Sequence, residues 1–201
     1  MFFLKIIKKI VNKENLQNKF SLKTNQAFSL IELLVTIAIL GIVSGTVFLN
    51  HSQFNNNILI ENLAYEISLT IRQAQSYGIQ VKQTGTGFGE GYGVYFNADS
   101  EEFYIFIDIN HNFVYNAGSD EIIDVLKMTD GNKVSKLCVD SDCSVDDINI
   151  VFLRPDPDAI IKTGSGGTEY NEAKIYIISP KGSEKKIYVN RVGQISVQSV
   201  E

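Results

Sequence analysis

The 201-residue chain is poor in the side chains that most catalytic and metal centres need. It has two histidines, His51 and His111, far apart in sequence. That leaves little from which to build a Ser-His-Asp arrangement, and no such pattern accompanies its serines. It has two cysteines, Cys138 and Cys143. A thiolate zinc site needs two further soft ligands, which the chain does not supply nearby. Basic residues are scarce after the N-terminus. Residues 1–27 hold six lysines and one acid, a charge of +5, whereas the remainder holds 12 basic and 22 acidic residues, a charge of −10. Such a field repels nucleic acid, so no nucleic-acid partner is expected. The glycine-rich stretch from Gly85 to Gly93 lacks a Lys-Ser/Thr ending and opens no helix, which excludes a phosphate cradle.

What the chain does have is a long apolar run. From Phe28 to Leu49 the only charged residue is Glu32. At 1.5 Å per residue these residues span ~33 Å as a helix, enough to cross a hydrocarbon core. Lysines flanking an apolar span stay cytoplasmic. Residues 1–27 are therefore expected inside and everything after about Asn50 outside, in a single-pass inner-membrane topology. A carboxylate inside such a run is costly, so Glu32 calls for a partner or a task. Gly41, Ser44, Gly45 and Thr46 allow another helix to approach closely.

A polar stretch at 50–57 follows, where the helix is expected to loosen. Periodicity then resumes with Ile60, Leu63, Ile67, Ile71 and Ala74, a core-facing stripe. Gly78 reads as its stop. Beyond it the pattern is β. Strands are expected at 92–96, 102–109, 122–128, 133–138, 148–153, 174–179, 185–189 and 195–200, with turns at 97–101, 180–183 and 190–193. The predicted fold class is α+β, a long N-terminal helix packed on a C-terminal antiparallel β-sheet. The expected segments are 1–27, a basic leader; 28–50, a membrane and assembly helix; 51–84, an amphipathic continuation; and 85–201, an extracytoplasmic β-rich domain.

The junction reads Ala27-Phe28-Ser29-Leu30-Ile31-Glu32. It resembles the cleavage and methylation motif of type IV prepilins and type II secretion pseudopilins, with Ala in place of the usual Gly. The resemblance implies that a prepilin peptidase cuts between Ala27 and Phe28 and methylates Phe28. It further implies that Glu32 neutralises the freed amine of a neighbouring subunit during assembly with other pilins or pseudopilins. Residues 63–78 and 187–195 are similar to the second helical half and closing hairpin of GspH/FimT-type minor pseudopilins. The implied function is a structural subunit, not an enzyme, of a type II secretion system or type IV pilus-like fibre. A FimT-like minor pilin that binds DNA is the alternative. For it, Lys181, Lys185, Lys186 and Arg191 would have to converge on one face.

Two local patterns stay open at this level. Cys138 and Cys143, with four residues between them, would close a short disulfide loop in an oxidising compartment or remain as two thiols. Asp108, Asn110, Asn112 and Asn116 follow the alternate-position rhythm of a calcium loop, yet Phe113 stands where that loop wants glycine. A polar connection between strands accounts for the same residues. No other cofactor is expected. The acids Asp140, Asp142, Asp146, Asp147, Asp156 and Asp158 read as solvated loop charge.

Overall fold

The computed structural model describes residues 28–80, 90–164 and 167–200, the side chains of 49–55 excepted. The chain divides into two compact units, Met1–Val47 and Phe48–Glu201. One helix, α1 (Leu30–Ile79), contributes to both. The assigned helix runs through 50–57, where loosening was expected.

In the first unit the described residues are the start of α1. Ser29 caps it, its carbonyl accepting the Leu33 amide at 3.1 Å. Leu30–Phe48 has a mean hydropathy of 2.3 and none of it is buried within the protein. The Thr36 and Thr46 hydroxyls donate back to the Leu33 and Val43 carbonyls, both at 2.8 Å. Both hydroxyls are thus satisfied within the helix itself, the arrangement an apolar surrounding favours.

In the second unit the remainder of α1 packs on two antiparallel sheets. The strands are β1 (Gly91–Asn97), β2 (Glu102–Asp108), β3 (Glu121–Lys127), β4 (Lys133–Val139), β5 (Asp147–Phe152), β6 (Ala159–Lys162), β7 (Glu172–Ile178), β8 (Glu184–Asn190) and β9 (Ile195–Ser199). A five-stranded sheet has the order β3-β2-β1-β5-β6, and a four-stranded sheet has the order β4-β7-β8-β9. The sequence pointed to one sheet and missed β6. Strand β6 is four residues long, too short for alternation to stand out. The split arises because β4 leaves its predecessor and pairs with β7, 34 residues further on. The 99–100 turn still ties the sheets together: the Asp99 amide donates to Val134 O, and the Val134 amide to Ser100 O.

The predicted helix stripe is the core stripe. Ile60, Ala64, Ile67, Ile71 and Ala74 are fully or almost fully buried, while Tyr65 and Leu69 on the other face are 52% and 63% exposed. They meet Val94, Phe96, Phe103, Ile148, Ile150 and Phe152 from one sheet and Ile175, Ile177, Ile187 and Val189 from the other. Each of the Val, Ile and Phe side chains among these contributes roughly 1.5–3 kcal/mol through removal from water.

Three contacts fix where α1 ends on the sheets. Arg72 donates to Ile195 O at 3.0 Å. Gln75 donates to both Pro157 O and Gly193 O, at 2.9 and 3.1 Å. Gly78 lies so close to β5 that a Cβ there would sit 2.5 Å from Phe152 O. Gly78 therefore lies within the last turn and permits close approach, rather than stopping the helix.

Candidate functional site

Phe28 and Glu32 occupy the start of the apolar helix. Phe28 precedes the first helical residue and is 76% exposed. Glu32 lies in the first turn, where a negative charge complements the unpaired amides of the helix start. Ala27, the other half of the expected scissile bond, lies outside the described residues, as does the leader. Leu30, Ile31 and Leu33 around Glu32 are all more than half exposed. Gly41 and Gly45 have open space where a side chain would stand. The arrangement offers an apolar surface, a carboxylate at its edge and small residues for close helix approach.

The structure brings Asp108, Asn110, Asn112 and Asn116 together, with Asp120 as a fifth member. Asp108 is fully buried and accepts the amides of Asn112 and Phe113, at 3.2 and 2.9 Å. Burial, opposed by the Phe113 hydrogen bond, raises its pKa above the ordinary carboxylate value. Asp120 takes the Ile109 and Asn116 amides at 3.1 and 2.7 Å. The Asn110 and Asn112 side-chain oxygens accept the amides two residues on, and their Nδ2 groups converge on Asn116 Oδ1. Donors, not lone pairs, therefore point towards Asn116. His111 and Phe113 adopt left-handed backbone, with φ of 59° and 63°. Phe113 thus takes the conformation that a glycine would supply. Among the described residues, no group of three or more His, Cys, Asp or Glu side chains is placed to hold a metal ion.

This loop folds over the outer face of the five-stranded sheet. Val114 is buried, and Tyr115 packs against Tyr95, Tyr104 and Phe106 with centroid separations of 5.1–5.8 Å. The buried Asn149 accepts the Tyr115 amide at 2.8 Å. Sequence reasoning passed over Asn149. Its signal was a polar side chain in a strand whose neighbours on both sides, Ile148 and Ile150, are core residues.

Cys138 and Cys143 are joined as a disulfide. Several of the acids nearby have structural tasks. Asp140 accepts the Asn171 and Glu172 amides, Asp142 the Ser144 amide and hydroxyl, and Asp147 the Gly164 amide. The Ser144 hydrogen bonds hold the Asp142 pKa below its ordinary value.

Of the four basic residues that the DNA-binding alternative requires on one face, two are engaged in ion pairs and a third lies on the opposite face of its strand from one of them. Lys185 pairs with Glu61 of α1 on the inner side, and Arg191 with Glu169. Lys186 follows on the other face of β8.

Residues 22–48 match the family model described as the prokaryotic N-terminal methylation motif. No curated protein and no solved structure matched the chain. The motif implies processing by a prepilin peptidase and assembly with other pilins, and the apolar helix fits a membrane anchor. Methylation motif, exposed apolar helix and α+β body together support a type IV pilin-like protein.

Proposed function

We propose that this chain is a minor pseudopilin, a structural subunit of a type II secretion system or type IV pilus-like fibre. The observation that carries the reading is the methylation motif joined to an apolar segment, Leu30–Phe48, none of whose residues is buried within the protein. In this reading residues 1–27 remain cytoplasmic and the β-rich domain lies outside, on a single membrane span. Cleavage between Ala27 and Phe28 frees an α-amine, which is methylated and remains cationic. Glu32 of a neighbouring subunit offsets that charge. At 4 Å and an effective dielectric of 20 the pair attracts by about 4 kcal/mol, reduced by desolvation. The pairing sets axial register and helps draw the helix out of the bilayer.

The test is intact mass and N-terminal sequencing of the protein made beside a prepilin peptidase. Loss of residues 1–27 with a methylated Phe28 supports the reading. An uncut chain makes it an ordinary anchored protein, and a cut beyond Leu49 makes it a secreted domain.

A further inference from the structure

Three tyrosines converge on the outer face of the five-stranded sheet. Tyr95 and Tyr104 pair across β1 and β2, with ring centroids 5.9 Å apart and planes within 6° of parallel. Tyr115 leans on both, at 5.1 and 5.8 Å. All three are half-buried, so each keeps accessible surface. They line an open recess of about 550 Å3 together with Asn97, Asp99 and Ile122. That volume falls within the roughly 300–1,000 Å3 of small-molecule sites. Ile122 faces the same side, because it pairs with Phe106, whose ring Tyr115 also contacts. The Asn97 amide donates to Tyr95 Oη at 3.1 Å, which sets a polar rim beside the rings.

The lining selects a ligand by its chemistry. Among the described residues no Lys or Arg lines the recess, and residues 28–201 carry a charge of −10, so an anion meets neither a partner nor a favourable field. A cation gains little from Asp99, which already pairs with Lys133 at 2.8 Å. Rings 5.1–5.9 Å apart touch one another. No ammonium group fits between them as in an aromatic cage, and no slot between them admits a proline ring. What remains is a neutral ligand with a flat apolar face and hydrogen-bonding groups at its edge.

We infer that this recess binds a neutral pyranose oligosaccharide. The C–H face of a pyranose ring is apolar and flat, and it covers the tyrosine rings, whose negative π-faces attract its slightly positive hydrogens. The sugar hydroxyls project from the ring edge. There the Asn97 amide donates and accepts, and the Asp99 carboxylate accepts. Ile122, 39% exposed, extends the apolar floor beyond the tyrosines. Nothing in this site depends on the fibre-subunit reading, because its residues all lie in the β-rich body.

The experiment uses the full chain in a polyoxyethylene-ether detergent, because a glycoside detergent would compete. The probes are cellotriose, maltotriose and triacetylchitotriose, each titrated by saturation-transfer NMR. At least one is expected to bind, with transfer strongest to its ring C–H protons. Tyr104→Ala is expected to raise Kd about tenfold through loss of a platform ring. Asn97→Ala is expected to raise it several-fold through loss of the rim hydrogen bonds. Asn97 is exposed, so this variant carries the test should melting curves show that Tyr104→Ala does not fold. Absence of transfer to all three sugars overturns the inference, as does an unchanged Kd in either folded variant. Hexaproline is the counter-probe. Its binding where no sugar binds would assign the recess to a proline-rich peptide and overturn the inference as well.

Discussion

Replacing Gly78 with alanine sets two local effects against each other. In a helix interior alanine is better than glycine by about 1 kcal/mol, so propensity alone predicts a more stable protein. The surroundings predict the reverse. The added Cβ would stand 2.5 Å from the Phe152 carbonyl oxygen and 2.8 Å from its Cβ. These atoms belong to β5, which pairs with β1 on one side and β6 on the other and cannot retreat alone. Relieving such a contact shifts backbone and costs roughly 2–4 kcal/mol, towards the upper end of overpacking penalties. The net expectation for Gly78→Ala is a loss of about 1–3 kcal/mol. For a chain of this size that lowers Tm by about 2–4 °C per kcal/mol. Scanning calorimetry of the full chain in detergent is the assay. Gly45→Ala is the control, since nothing lies within 4 Å of the Cβ it would add. A Gly78→Ala protein that melts at or above the wild-type temperature would refute the close approach of helix and strand.

Four further outcomes are expected. Ala27→Asp blocks processing, read as an uncut mass, and a mature-sized product would remove the cleavage assignment. Glu32→Val leaves the protein folded and inserted but lowers its recovery in sheared fibre fractions, whereas normal incorporation would remove the charge pairing. Reduction of the Cys138–Cys143 bond, or Cys138→Ser with Cys143→Ser, costs about 2 kcal/mol by loop-closure entropy, checked by urea unfolding with and without reductant. Glu172 has its pKa lowered by hydrogen bonds from Lys174 and Tyr188. A carboxyl with a lowered folded pKa stabilises above its unfolded value, near 4.5, and loses that contribution as pH falls through the folded value. The stability gap between wild type and Glu172→Gln is therefore present at pH 7 and closes in acid, and a gap that persists at the acid end would contradict the pairing.

How much of this was legible in the sequence depends on how local each signal is. The membrane run, the stripe Ile60–Ala74 and eight of the nine strands rest on periodicity within one element, and periodicity is local. The split into two sheets is not local. It depends on β4 pairing with β7, and no residue in Lys133–Val139 names its partner. The same limit applies to glycines. Gly193 is a turn glycine by its sequence and by its φ of 76°. It also leaves room for Gln75 and Pro157, from elements more than 30 residues away, and a Cβ would come within 2.3 Å of Pro157 O. The loop 108–120 shows the converse. Its spacing of Asp and Asn was plain, but spacing fixes which residues meet and not which atoms face inward. Asp120, one residue late for a calcium ligand by count, takes two backbone amides, while Tyr115 and Asn149 tie the loop to the sheet. A polar loop whose carboxylates each hold two amides needs no ion to keep its shape. Calcium at millimolar concentration is accordingly expected to leave Tm unchanged, and a rise of several degrees, reversed by chelator, would mean that the asparagine amides turn their oxygens inward to meet it.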